Sequence, residues 1–287
     1  MKPFLKWVGG KTQILDTILD SFPKKINDYH EIFVGGGSVL FAVLEKCHVM
    51  GNIYAYDLNE TLINVYKDVQ LRPKELHREV MNLFNVYDGL SGTEIIRKPT
   101  NEQEAMTSKE SYYYWIRYKF NSKIGDISAM FIFLNKTCFR GIFREGPQGF
   151  NVPYGHYKTT PQFIPLIEFE KISTILQRVI FKHCDFRDAI KQVKPGDFMY
   201  LDPPYAPETK TSFVGYTKDG FGIKNHEELF KMTKANGAHF VMSNSDVDLV
   251  RKAFYEYNIS IVKARRAINS KNPEATTNEV VVRSSNH

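Results

Sequence analysis

Apolar positions in the 287-residue chain recur as short runs that stop at glycine or an acid and then give way to helical spacing. Residues 29–34 form one such run, which ends at Gly35-Gly36-Gly37 and leads into Ser38-Val39-Leu40-Phe41-Ala42-Val43-Leu44, an apolar helical stretch. A second run, Ile53-Tyr54-Ala55-Tyr56, ends at Asp57, and residues 58–69 return to helical spacing. This opening predicts a β-α-β unit of a parallel sheet. Over the next hundred residues the rhythm is lost. Tyr112-Tyr113-Tyr114-Trp115, several basic residues and a Gly/Pro/Asn-rich stretch over 141–155 predict helices and a long ordered loop. After Pro165 the rhythm resumes, with strands at 178–181, 198–201 and 239–242 and a terminal hairpin from 259–262 and 279–282. The expectation is an α/β domain with a mostly parallel sheet and a terminal antiparallel hairpin, made of residues 1–60 and 166–287 and interrupted by an insertion over 61–165.

Composition changes this picture little, with 43% hydrophobic and 24% charged residues, as in an ordinary folded domain. No apolar run approaches the roughly 18 residues needed to span a bilayer, and residues 1–7 carry no apolar targeting segment. A soluble intracellular protein is expected, cytoplasmic or nucleoid-associated if the source is prokaryotic or phage. Cys47, Cys138 and Cys184 are odd in number and lack metal-ligand spacing, so they read as reduced thiols. Charge is more informative. The net charge is +6, and residues 109–158 hold eight Lys/Arg against three Asp/Glu, a bias that suits a polyanionic partner.

The chemistry concentrates at Asp202-Pro203-Pro204-Tyr205, directly after the strand at 198–201. Strand ends of a parallel sheet are where ligands bind. Two prolines remove two backbone donors, so the turn offers acceptors to a substrate that is itself a donor. An exocyclic amine fits that description. Accepted by Asp202 and the Pro203 carbonyl, its N–H groups would be held as positive charge grows on nitrogen, with Tyr205 stacked on the ring. No metal or nucleophilic side chain is needed. Gly35, Gly36 and Gly37 permit close approach of a ligand, and Asp57, an acid at a second strand end, suits ribose hydroxyls. The third glycine of a dinucleotide fingerprint is missing, because Leu40 stands there, which favours a nucleoside without pyrophosphate. A third element, Phe4-Leu5-Lys6-Trp7-Val8-Gly9-Gly10-Lys11, could open a helix with Lys11 facing a carboxylate.

Taken together and in this order, the three motifs resemble the Dam-type (class alpha, D12) DNA adenine-N6 methyltransferases over essentially the whole chain. The family pattern F-x-K-W-x-G-G-K matches residues 4–11, F-x-G-G-G-S matches 33–38, and D-P-P-Y matches 202–205. The resemblance implies a Rossmann-like S-adenosylmethionine-dependent methyltransferase fold in which 61–165 is the target-recognition insertion. It implies S-adenosylmethionine as methyl donor, with S-adenosylhomocysteine as product, contacted by Trp7, Lys11, the 35–37 turn, Asp57, Asp202 and the Asp185-Phe186 pair. It also implies double-stranded DNA as substrate, a flipped adenine, and a short site such as GATC, with no metal or membrane and a monomer or weak dimer. The stretch over 134–144, followed by Phe150-Asn151-Val152-Pro153-Tyr154-Gly155, resembles the family's DNA-reading hairpin. There Arg144 would reach a guanine edge, Phe139 and Ile142 would wedge beside the flipped base, Pro153 and Tyr154 would also contact DNA, and Lys6 would add a base or phosphate contact. Arg140 departs from the family, in which many GATC readers carry Asn. Gly215-Tyr216-Thr217-Lys218 resembles a loop closing over the active site, and Ser243-Asn244-Ser245 reads as a cap for the next helix. The same four catalytic residues would also serve cytosine N4 or RNA adenine. A catalytically silent DNA-binding relative is the alternative from another class.

Overall fold

The computed structural model describes residues 1–11, 13–206, 220–265 and 276–284. The elements run in chain order α1 (Leu15–Asp20), β1 (Tyr29–Glu31), α2 (Ser38–Lys46), β2 (Ile53–Asp57), α3 (Glu60–Leu71), α4 (Pro73–Gly89), α5 (Glu102–Ala105), α6 (Lys109–Asn121) and α7 (Ile127–Thr137). After a 3₁₀ turn at Phe139–Gly141 come β3 (Glu145–Gly146), β4 (Gly149–Phe150), α8 (Leu166–Leu176), β5 (Val179–His183), α9 (Phe186–Gln192) and β6 (Phe198–Leu201). The chain closes with α10 (Ile223–Asn236), β7 (His239–Ser245), α11 (Asp248–Ala253), β8 (Asn258–Arg265) and β9 (Thr276–Arg283).

Two compact units emerge. The first comprises residues 1–2, 9–58 and 178–287, the second residues 3–8 and 59–177. The first unit contains a seven-stranded sheet in the order β5-β2-β1-β6-β7-β9-β8. The five strands from β5 to β7 are parallel, and β9 returns antiparallel between β7 and β8. This is the α/β architecture expected from the alternation of runs. The central strands β1 and β6 are buried at every position, as strands covered on both faces require. Ile32, Tyr56, Met199, Leu201, Phe240 and Val280 pack with Phe186 and Phe230 into one core. Chain order runs outward from β1 through β2 to β5, then resumes on the other side of β1 with β6 and β7. The topological switch point therefore lies at the carboxyl ends of β1 and β6.

The second unit is helical, and polar residues set its helix starts. Asn59, Asn101, Ser108 and Asp126 each accept the backbone N–H three residues on, at α3, α5, α6 and α7. The most apolar of these helices, α7, buries nine of its eleven residues, and Phe133 receives the ring edges of Phe84, Tyr87 and Tyr112. The unit's limits differ from the expected 61–165 at both ends. Phe4 packs edge-on against Tyr66 and Phe169, drawing residues 3–8 in. Helix α8, which the sequence assigned to the sheet domain, presents Phe169 to His77 and Phe163 instead. The 141–155 stretch is also tighter than a long loop, since Glu145 pairs with Phe150 and Gly146 with Gly149 in a two-residue hairpin. Among the described residues no helix is long and apolar enough to cross a membrane.

Candidate active site

At the switch point the chain leaves β1 through Val34, whose N–H reaches the Tyr56 carbonyl at 2.8 Å, and turns through the three glycines into α2. Gly35 (φ 46°) and Gly37 (φ 75°) occupy left-handed backbone that other residues adopt only under strain. Gly35 donates its N–H to Asp57 Oδ2 at 3.0 Å, so the acid at the end of β2 fixes the glycine turn. Gly37 has no side chain to cap α2, and the first turn of that helix holds no acid. The positive end of the helix dipole is thereby left to an anion from outside the helix. Phe33, just before the glycines, packs against Phe186. Asp185 is the N-cap of α9, accepting from the Arg187 N–H at 2.9 Å, and pairs with the Arg187 guanidinium at 3.0 Å.

The Asp202 turn is anchored from several elements. Lys11, 3% exposed, donates from Nζ to the Gly9 carbonyl, to the Tyr205 hydroxyl and to Asp202 Oδ1, each at 2.8 Å. Those three partners use all three ammonium protons, so Lys11 holds the turn itself. Its backbone N–H reaches Ser38 Oγ at 3.2 Å, joining the N-terminal motif to the start of α2. Below the turn, His226 of α10, fully buried, places Nε2 2.9 Å from the Pro204 carbonyl and Nδ1 3.0 Å from the Gly222 carbonyl. Asn244 Oδ1 accepts from the Ala206 N–H at 3.0 Å, and Ser245 Oγ donates to the Ala206 carbonyl at 2.8 Å. These two residues therefore buttress the Asp202 turn rather than cap a helix, as the sequence had suggested. They lie within β7, and α11 begins after Val247 without a side-chain cap.

Electrostatics follow from this burial. Asp202 keeps 21% of its side-chain surface exposed, yet desolvation raises its carboxyl to about 6, with Lys11 opposing and Glu279 adding to the rise. Glu31, at the end of β1, is pushed to about 8 by burial, partly offset by the Tyr29 hydroxyl and the Leu40 N–H of α2, with Asp202 adding to the rise. It is thus protonated at neutral pH. Tyr205 is raised strongly, first by burial and then by Asp202 and Glu279. Glu31, His226 and Glu279 carry no sequence signal of their own, because each meets the site through the fold.

The residues expected to read DNA lie in the second unit. Asn135 clamps the Lys6 backbone, accepting its N–H at 2.8 Å and donating to its carbonyl at 2.7 Å. Lys6 Nζ reaches the Lys136 carbonyl and the Tyr157 hydroxyl, both at 3.3 Å, and burial lowers its pKa. Trp7 stacks on Phe143 with centroids 6.2 Å apart. Phe139 is 43% exposed, and Arg140, at a left-handed φ of 56°, folds over its ring. Ile142 is half-buried, and exposed Arg144 is tethered through Nε to Asn151 Oδ1 at 2.7 Å. The Pro153 carbonyl accepts the Phe139 N–H at 2.9 Å. Tyr154 departs from its expected place on a DNA-facing surface. It is buried, its hydroxyl bonded to that of Tyr87 and its ring against Tyr113, so it supports the hairpin from within. The 215–218 loop lies outside the described residues.

Among the described residues, Asp28, His30 and Asp197 bring ligand atoms within 4.8 Å of one another, the spacing of a metal site. They stand at the amino ends of β1 and β6, away from the glycine turn. Protein groups already engage them: Asn52 N–H on Asp28, Lys194 N–H on Asp197, and the Tyr56 hydroxyl on His30 Nδ1. Burial holds His30 below the usual imidazole range, and its ring stacks on Tyr54, which suits a neutral structural histidine.

A parallel sheet with a glycine turn, an acid on the next strand and an acceptor turn at its switch point is an α/β fold with its candidate site at the carboxyl ends of β1 and β6. The chain belongs to the D12 class N6 adenine-specific DNA methyltransferase family, which it matches over residues 7–268, and it is a site-specific DNA methyltransferase acting on adenine. It is 38% identical to the type II methyltransferase M.MjaIII of Methanocaldococcus jannaschii, over 94% of each chain. Identity is 31% with the type II methyltransferase M1.LlaDCHI of Lactococcus lactis subsp. cremoris, over 94% of this chain and 90% of the relative. It is 30% with a DNA adenine methylase of Haemophilus influenzae, over 95% and 89%.

Proposed function

We propose that the enzyme methylates adenine N6 in duplex DNA using S-adenosylmethionine, with the target base swung out of the helix into the Asp202 turn. The donor, when bound, supplies an electrophilic methyl group. The residues present fit it. The glycine turn admits close approach, the uncapped positive end of α2 beside it suits the methionine carboxylate, and Asp57, with the Asp185-Phe186 pair beside the turn, suits the ribose and adenine. Trp7 is assigned to the donor on the family motif.

The observation that carries the reading is Asp202 held rigidly by Lys11 at the switch point. With the Pro204 carbonyl already engaged by His226, Asp202 and the Pro203 carbonyl are the acceptors for the two amino hydrogens. Their fixed orientation favours positive charge developing on N6. Tyr205 stacks on the base, which must leave the duplex at a cost of about a few kcal/mol. In the second unit, Arg144 reads a guanine edge, Phe139 and Ile142 wedge into the stack, Arg140 and Lys6 contact phosphate or base, and Pro153 shapes the hairpin. GATC or a related short sequence is the target, and the type II relatives favour a restriction-modification role. The test is transfer of labelled methyl groups to duplex DNA followed by digestion to nucleosides. Label in N6-methyldeoxyadenosine is expected. Label in N4-methylcytosine, or only with RNA, would overturn the reading.

A further inference from the structure

The hairpin beside Arg144 is only two residue pairs long, Glu145 with Phe150 and Gly146 with Gly149, and a ribbon that short does not hold its register by its own ladder. Where two residues join antiparallel strands, the pair flanking the turn exchanges backbone hydrogen bonds, and the next pair directs its N–H and C=O groups away from the partner strand. Phe150 belongs to that next pair. One side chain takes both of its outward groups: Asn121 accepts the Phe150 N–H on Oδ1 and donates from Nδ2 to the Phe150 carbonyl, each at 2.9 Å. The Asn121 amide thus stands in for a third strand. One residue further on, the bonds return to the partner strand. Asn151 donates its N–H to the Arg144 carbonyl at 3.1 Å and accepts Arg144 Nε on Oδ1 at 2.7 Å.

Asn121 is itself firmly placed. It is the last residue of α6, and that helix closes with backbone bonds alone, from the Lys123 N–H to the Phe120 carbonyl at 3.1 Å and from the Ile124 N–H to the Lys119 carbonyl at 2.9 Å. Its side chain is therefore not spent on the helix end. The same helix grips the hairpin's exit, where the Tyr113 hydroxyl and Arg117 Nη1 donate to the Val152 carbonyl at 2.7 and 3.1 Å. Gly149 makes room for the clamp, since a Cβ there would lie 2.7 Å from Asn121 Oδ1.

We propose that Asn121 is a positioning residue for sequence recognition: it fixes the hairpin register through Phe150 and, through Asn151, the direction in which Arg144 meets its base pair. A slip of one residue would turn Phe150 out of its packing against Phe120 and Phe143 and carry Asn151 away from Arg144. Asn121 acts through the hairpin and has no assigned contact with DNA.

The inference rests on the proposed base reading by Arg144, and the experiment separates the two. The methylated site is first identified by sequencing modified DNA. Values of kcat/KM are then measured on duplexes carrying that site or each single-base-pair change, for the wild type, Asn121→Ala, Arg144→Ala and the double variant, with melting temperature and donor affinity recorded for each. Asn121→Ala is expected to lower the preference at the pair read by Arg144 by about tenfold. Donor affinity should stay within about twofold, and Asn121→Ala should add nothing in the Arg144→Ala background. Should Asn121→Ala fail to fold, Asn121→Asp, of nearly unchanged size, sets a carboxylate oxygen against the Phe150 carbonyl and is expected to give the same loss. An equal loss on every duplex with a lower melting temperature would overturn the proposal, as would losses that multiply in the double variant. Unchanged preference in Arg144→Ala removes base reading by Arg144 and the route from Asn121 together. A changed Arg144→Ala beside unchanged Asn121 variants removes the clamp alone.

Discussion

The Asp202 turn and the Arg144 hairpin are both short connections rich in proline or glycine, and they are held in opposite ways. The turn is fixed from several elements at once: Lys11 grips Asp202 and Tyr205, His226 the Pro204 carbonyl, and Asn244 with Ser245 the residue that follows. The hairpin is fixed at its base by Asn151, Tyr154 and Phe150, while Phe139 and Arg144 remain exposed. A reaction that depends on acceptors aimed at developing charge needs the first arrangement, because misplaced dipoles stabilise nothing. A surface that must meet a groove and enter a base stack suits the second, where side chains can adjust to the partner.

The largest expected effect tests the rigid half. Asp202→Ala should lower single-turnover methylation on the order of 10²–10³-fold or more, with nonspecific DNA affinity unchanged in a filter-binding assay. Substantial remaining turnover would place the chemistry elsewhere. Arg144→Ala tests the adaptable half. It should cost about 1–3 kcal/mol of discrimination at one base pair, seen as methylation spreading to near-cognate sites when modified DNA is sequenced. Unchanged specificity would take Arg144 out of base reading.

A smaller effect concerns the stability of the locked site. Glu31 has a folded-state value of about 8, above its ordinary carboxylate range, so the folded protein binds more protons than the unfolded chain between roughly pH 4.5 and 8. Stability from this group is present at the acid end of that window and falls as pH rises through it. Glu31→Gln should therefore raise the melting temperature more at about pH 8.5 than at about pH 5. An equal change at both would mean that Glu31 does not carry the buried proton.

Much of the sheet was legible because its strands are local apolar runs with turn signals, and β1, β2, β6 and β7 begin where those runs begin. The Asp202 turn was legible for the same reason, as residues contiguous in sequence. The supporting residues were not. His226, Asn244 and Glu279 lie 22, 38 and 74 positions beyond the turn residues they touch or adjoin, and only strand order brings them there. Helix α8 was misassigned because its apolar spacing suits either unit. The choice was made by Phe169 meeting Phe4 and Phe163, a long-range contact. Tyr154 was placed at the DNA for want of any local sign that Tyr87 and Tyr113 enclose it.

The most direct test of an ionised Asp202, tuned by burial and held by Lys11, is the pH dependence of single-turnover methylation between about pH 4.5 and 8, in the wild type and in Lys11→Met. With the carboxyl near 6, the wild-type rate should be half-maximal close to that pH and fall about tenfold per unit below it. Loss of Lys11, which opposes the rise, should move the midpoint upward in whatever activity remains. A flat wild-type profile, or a midpoint that moves down without Lys11, would contradict the role assigned to Asp202.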